Sequence, residues 1–310
     1  MIEFIIDYFR ITVHESTEYC VEIYDHYFKD YLGPLFESSR GAKGFKEALE
    51  AALGFQLKHT PGANREYCTF EFPGKACKAI PPEVMGLFHN VLKLEEKRFN
   101  VNRIDLAFDG VRFTPLELYE VILKDGKREP SEKSLVRSLT QRESVHYEIE
   151  PLKEKEDKSS VARETCYFGS RSSERFLRLY NKRGPNRLEI EFKGDRASIV
   201  ADDLFKNLYD LEKFFDIAIS HLRDFIDIDL PWWWEFINDN DRAFAKIINA
   251  KDESLEKKKD WLLSQTAPTV AALQFITNGE FIHELIIEGR KRMSKNCSNL
   301  LALHGKGGMV

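Results

Sequence analysis

Seven short stretches of this chain, residues 5–13, 67–72, 102–109, 146–150, 166–170, 176–180 and 187–192, alternate apolar and polar residues with a period of two. Side chains on a strand point to opposite faces in turn, so such runs bury one face and keep the other polar only as strands. Residues 18–31, 46–53, 82–99 and 115–123 carry helical spacing instead. Strands with one polar face, interleaved with helices, predict an α+β fold: an antiparallel sheet with helices on one face. From about Ala201 the alternation stops, and 204–222, 232–248, 254–264 and 281–293 read as helices. The expected organisation is a sheet domain over residues 1–200 and a helical C-terminal region over 201–310. Residues 151–163 are rich in Lys, Glu and Ser and are expected to form a mobile loop, and the glycine-rich 303–310 is expected to fray.

Composition removes several classes. The 310 residues are 43% hydrophobic and 31% charged with 11 prolines, which predicts a packed core rather than disorder. Apolar runs fall short of the eighteen or so residues needed to cross a bilayer, and the N-terminus lacks a basic, cleavable leader. Five scattered cysteines with no C-x-x-C spacing predict reduced thiols in a cytoplasm and no zinc site. The phosphate-cradling string G-x-x-x-x-G-K-[ST] does not occur, so ATP use is not expected. The net charge of −5 argues against nucleic acid, but it hides a basic segment over 163–196 followed by an acidic one over 202–229. Arg171, Arg175, Arg178 and Arg187 of that segment are the candidate DNA contacts.

Parity sorts the chemistry. Over 103–109, Ile104, Leu106 and Phe108 share one face, and Asp105, Ala107 and Asp109 the other. Over 187–192, Glu189 and Glu191 lie with Arg187, opposite Leu188, Ile190 and Phe192; over 176–180, Arg178 and Tyr180 lie opposite Leu177 and Leu179. In one sheet, the face turned from the core would collect four carboxylates, two arginines and a tyrosine. Clustered carboxylates call for a cation, and oxygen ligands select a hard one, Mg2+ or Mn2+. A hard metal, arginines and a hydroxyl nucleophile are equipment for attacking a phosphodiester. Lys182 and Arg183, just after Tyr180, would add to the positive field that a phenol needs to ionise.

Residues 101–109, 167–182 and 187–193 resemble the signature blocks of the replication-initiator (Rep) family of small Gram-positive plasmids. Related blocks occur in phage replication initiation factors and in relaxases of integrative conjugative elements. Residues 6–12 resemble that group's first strand. The likeness covers roughly residues 1–200 and is tight from Tyr167 to Lys193. It implies rolling-circle initiation: Tyr180 as nucleophile, Asp105 and Glu189 with Asp109 and Glu191 as ligands of a divalent metal, and a 5′-phosphotyrosine intermediate later resolved by rejoining. It also implies action on double- and single-stranded DNA at an origin, a homodimer and a recruited host helicase. A conjugative relaxase and a non-catalytic origin-binding protein are the alternatives.

Other features have plainer readings. Trp232, Trp233 and Trp234 follow Pro231 and are expected to open a helix and pack two rings in the core. Residues 169–175 read as a turn between strands, and the Tyr167 ring as structural. The pattern 270–293 has the outline of a helix-turn-helix, with DNA contact there as a lesser expectation.

Overall fold

A computed structural model of the chain describes residues 2–38, 44–60, 66–127, 134–138, 144–150, 163–181, 186–207, 210–237, 262–277 and 280–291. The strands are β1 (Glu3–Val13), β2 (Phe36–Glu37), β3 (Glu47–Glu50), β4 (Gln56–His59), β5 (Cys68–Pro73), β6 (Phe99–Val111), β7 (Val136–Ser138), β8 (Val145–Glu150), β9 (Arg163–Phe168), β10 (Arg175–Asn181), β11 (Asn186–Lys193) and β12 (Ile226–Ile228). Ten of them form one antiparallel sheet in the order β2-β3-β4-β5-β1-β6-β11-β10-β9-β8, and β12 pairs with β7. The helices are α1 (Thr17–Tyr27), α2 (Lys29–Leu32), α3 (Gly74–Ala79), α4 (Pro82–Leu94), α5 (Pro115–Gly126), α6 (Gly194–Phe205), α7 (Leu211–Phe225), α8 (Pro231–Ile237), α9 (Ala267–Ile276) and α10 (Glu280–Lys291). The α+β antiparallel architecture read from the alternation is the one present.

The apolar parity sets of the long strands meet the helices. Phe9, Ile104, Leu106, Phe108, Leu188, Ile190 and Phe192 are fully buried in one core with Ala197, Val200, Ala201 and Leu204 of α6, whose spacing marks a single helical face. Helix starts follow local chemistry. Thr114 and Glu117 close a capping box ahead of α5, and the Asp210 side chain accepts the Lys213 backbone N–H at the start of α7. Trp233 is buried and donates its indole N–H to Asp227, while Trp232 and Trp234 pack partly against the core, so the tryptophan run serves packing.

Several expectations need correction. Residues 46–53 form β3 and a tight turn rather than a helix, because Leu53 and Gly54 take positive φ (62° and 83°) and reverse the chain into β4. The helix expected over 18–31 is broken at Phe28, and the one over 82–99 stops at Leu94, just before Glu96 takes φ 51°. The helix expected over 204–222 is two helices separated around Asp210. The region after 201 is also not purely helical, since β12 lies in it.

The chain divides into compact units at Met1–Lys246 and Ile247–Val310. The first unit runs past residue 200 because α6, α7 and α8 bury Leu204, Phe214, Leu222, Trp233 and Phe236 in the sheet's own core. In the second, α9 and α10 match the outline read over 270–293. The stretches 151–162, 238–261 and 292–310, with their expected loop, helical turns and frayed end, lie outside the described residues, as do Lys182 and Arg183. Among the described residues no helix is long and apolar enough to cross a membrane, and Cys20, Cys68, Cys77 and Cys166 are buried free thiols.

Candidate active site

Strand register brings the polar parity sets together. One row across the sheet reads His146, Tyr167, Arg178, Glu189 and Ala107. The next rung along the strands reads Glu148, Thr165, Tyr180, Arg187 and Asp109. On the other side of the first row, Phe176 lies opposite Glu191, which lies opposite Asp105, which lies opposite Tyr8. Four carboxylates, two arginines and Tyr180 thus share the face turned from the main core, as parity requires.

The centre of that face is buried and ion-paired. Asp105, Glu189 and Arg187 are each only 2% exposed. Arg103 makes a bidentate pair with Asp105 (2.8 and 2.6 Å) and reaches Glu191 at 2.7 Å, its guanidinium 4.5 Å from the Tyr8 ring centroid. Lys193 also pairs with Glu191. Arg178 pairs with Glu189 Oε1, while the Tyr180 hydroxyl donates to Glu189 Oε2 at 3.1 Å. Arg187 grips Asp109 with two bonds of 2.5 Å and donates to Asp7 at 2.8 Å. Charge-assisted pairs of this kind hold both partners in place when buried.

Burial shapes the protonation. It pushes the Asp105 carboxyl up to about 7, with the Glu189 and Glu191 charges adding to the effect and Arg103 opposing it. Burial likewise holds the Tyr180 phenol well above its ordinary value; Glu189 raises it further and Arg187 lowers it. The resting phenol is therefore protonated, its hydrogen aimed at Glu189. Among the described residues the buried Arg178 Nε has no hydrogen-bond partner.

The structure separates the expected DNA contacts. Arg178 stays beside Tyr180 and half-buried. Arg171 is exposed on the β9–β10 turn. Arg175 lies opposite Phe192, on the face away from Tyr180, where it pairs with Asp224 of α7 at 2.7 Å and stacks on Phe225. Arg187 is buried with Asp109 and Asp7 and braces the sheet instead of presenting itself to a phosphate. Much of the basic segment is spent internally, since Arg196 and Lys193 are paired as well.

Two participants were missed. Arg103 has the parity of Asp105, so the alternation already marked it. Asp7 carried no such signal: it occupies a bulge between Ile6 and Tyr8 that breaks the parity of β1 and turns its carboxylate to Arg187. Gly74 makes room for it, since a Cβ there would sit 2.9 Å from the Asp7 carbonyl and side-chain oxygens. As for a metal, Asp105, Glu189 and Glu191 offer only oxygen donors, the kind a hard divalent cation takes, and the Glu189 and Glu191 charges act on the buried Asp105. In the arrangement described, Arg103 and Arg178 supply that positive charge, and among the described residues no three ligating groups converge.

The antiparallel sheet has a counterpart among known structures. The structure of a rolling-circle replication initiator from Geobacillus stearothermophilus matches over 77% of this chain and 96% of that one, with a TM-score of 0.59 at 18% identity, a likeness of fold. The model of the replication initiation factor family matches residues 99–286, and the chain belongs to that family. The putative DNA relaxase NicK of Bacillus subtilis (strain 168) is 29% identical over 131 residues, an alignment covering 34% of this chain and 37% of that relative's length.

Proposed function

We propose that this protein initiates rolling-circle replication by nicking one DNA strand at a specific origin through Tyr180. The observation that carries the reading is the hydrogen bond from the Tyr180 hydroxyl to Glu189, inside a layer of paired arginines and carboxylates on one sheet face. In the proposed step the phenolic oxygen attacks phosphorus and the bond from phosphorus to the 3′ oxygen breaks. The phenolic proton passes to Glu189, and the leaving 3′ oxygen takes a proton from water. The products are a 5′-phosphotyrosine link and a free 3′-hydroxyl that can prime synthesis. Reversal by a 3′-hydroxyl rejoins the strand, since the linkage energy is conserved.

Arg178, beside Tyr180, would neutralise charge growing on the phosphate oxygens. Asp105 and Glu189, with Glu191, would hold Mg2+ or Mn2+; Asp109 is committed to Arg187. Bound there, such an ion would offset the carboxylate charge and supply Lewis-acid chemistry. In this reading the protein acts as a homodimer on duplex and single-stranded origin DNA, and a host helicase separates the strands because the chain lacks a nucleotide-cradling string. The likeness to the putative relaxase supports a second reading, with the same chemistry at an origin of transfer.

Supercoiled plasmids bearing the origin of replication or the origin of transfer test these readings. Nicking of the replication origin should stop in EDTA and return with Mn2+ or Mg2+, and Asp105→Ala and Glu189→Ala should abolish it. Nicking only of the transfer origin selects the second reading. Full activity in chelator, or in both alanine variants, contradicts the carboxylate assignment.

A further inference from the structure

Beside the nucleophile the same sheet face carries a run of aromatic rings that the chemistry above does not use. His146 and Tyr167, cross-strand partners on β8 and β9, lie with ring centroids 6.2 Å apart and planes 20° from parallel. Tyr167 and Phe176, diagonal neighbours on β9 and β10, follow at 5.8 Å and 19°. The Arg171 guanidinium lies over both, 5.8 Å from the Tyr167 centroid and 5.4 Å from that of Phe176. Tyr167 pairs across with Arg178, and Tyr180 with Thr165, so Tyr167 stands diagonal to the nucleophile, about 7–8 Å away along the sheet.

The outer end of this ladder is open, with the His146 side chain 64% exposed. The turn that carries its cationic arm is held in place. Gly169 takes φ +90° at the start of the turn, where a Cβ would sit 3.2 Å from the Arg175 carbonyl and the Phe225 ring. Ser173 donates from its backbone N–H to the Ser170 carbonyl at 3.0 Å, and Lys193 donates to the Arg171 carbonyl at 2.5 Å. A row of rings capped by a guanidinium matches what unpaired bases require: π faces to stack on and positive charge for the backbone. Duplex DNA hides its base faces and gains little from such a surface.

We propose that His146, Tyr167 and Arg171, backed by the buried ring of Phe176, form a stacking platform for the unpaired bases next to the phosphodiester that Tyr180 attacks. The platform binds single-stranded DNA with little sequence preference and gives Tyr167, read from sequence as structural, a role in holding substrate. The location of the scissile bond rests on the function proposed above; the capacity to bind single strands does not.

The test is binding of a fluorescently labelled oligothymidylate to the full chain, followed by anisotropy in EDTA so that cleavage plays no part. Tyr167→Ala should weaken binding about tenfold, and His146→Ala about fivefold. Both should leave the salt dependence unchanged, whereas Arg171→Ala should flatten its log–log slope by roughly 0.7 for each phosphate that this arginine neutralises. Tyr167→Phe, which keeps the ring, should recover most of the loss, and affinity for a duplex of equal length should move less than about twofold, a roughly neutral change next to a stacking contact. Because His146 is mostly exposed, His146→Ala keeps the measurement decisive even if Tyr167→Ala fails to fold. Wild-type affinity in the alanine variants, or a loss in Tyr167→Phe equal to that in Tyr167→Ala, overturns the platform. A covalent adduct at Tyr180 with no ring dependence of binding overturns the platform alone, and ring-dependent binding without an adduct overturns the nicking chemistry alone.

Discussion

Asp105 is a carboxyl that its own fold disfavours in charged form. Burial lifts it from an ordinary value of 3.8 to about 7, so the folded state binds its proton more tightly than the unfolded chain does. The stability this contributes is complete below about pH 3.8 and is lost as pH rises to about 7. Asp105→Asn should therefore stabilise the metal-free protein at pH 8 by on the order of 2–4 kcal/mol, and much less at pH 4. Mn2+ should stabilise wild type at pH 8 and fail to stabilise the variant. Thermal denaturation at the two pH values checks both, and equal melting temperatures at pH 8 would count against a buried carboxylate under strain. Arg187 makes the complementary case. Its side chain is buried between Asp109 and Asp7, so Arg187→Ala leaves two carboxylates without it and should cost about 3–5 kcal/mol of stability. Normal melting with weakened DNA binding would return Arg187 to the phosphate contacts. Parity made Asp105, Glu189 and Tyr180 legible in the sequence as neighbours. It could not show that the arginines beside them would be consumed by those carboxylates, because pairing across strands depends on register, which single strands do not encode.

The long central strands were readable because each has one buried face and a clean period of two. The short ones were not. β2, β3, β4, β7 and β12 span two to four residues each, too few for a period to register, and β3 read as a helix until Leu53 and Gly54 turned the chain. The β9–β10 hairpin shows how much a turn residue decides. Gly169 holds φ +90° with a Cβ crowded at 3.2 Å, and it begins the turn between the strands that place Tyr167 against Arg178 and Thr165 against Tyr180. Gly169→Ala should destabilise the protein by about 1–3 kcal/mol, a drop of several degrees in melting temperature, and should reduce nicking by displacing β10. A variant with unchanged melting temperature and activity would show that the hairpin does not depend on this conformation. Arg175, one face away from Tyr180, acts on the same strand from the core side. Its pair with Asp224 ties β10 to α7, so Arg175→Ala should lower stability and leave the salt dependence of DNA binding unchanged.

Across the whole chain, charge was the least informative quantity. A net charge of −5 would have excluded a DNA-acting protein, yet the chain belongs to the replication initiation factor family. The positive charge that matters is local, held in Arg103 and Arg178 against carboxylates on one sheet face. The helical segments from α6 to α8 serve the fold of the first unit, packing against the apolar face of the sheet. The central claim is that this face builds a nucleophile from Tyr180, and a covalent bond is its direct signature. The decisive measurement incubates the protein with end-labelled single-stranded origin DNA and Mn2+, denatures the mixture, and looks for label migrating with the protein. Wild type should give the adduct. Tyr180→Phe, which keeps the ring and its packing but lacks the attacking oxygen, should bind the same DNA and give none, while Tyr31→Phe, on α2 outside the site, should give the adduct as wild type does. An adduct in Tyr180→Phe, or none in wild type with its own origin and either ion, would contradict a Tyr180 nucleophile.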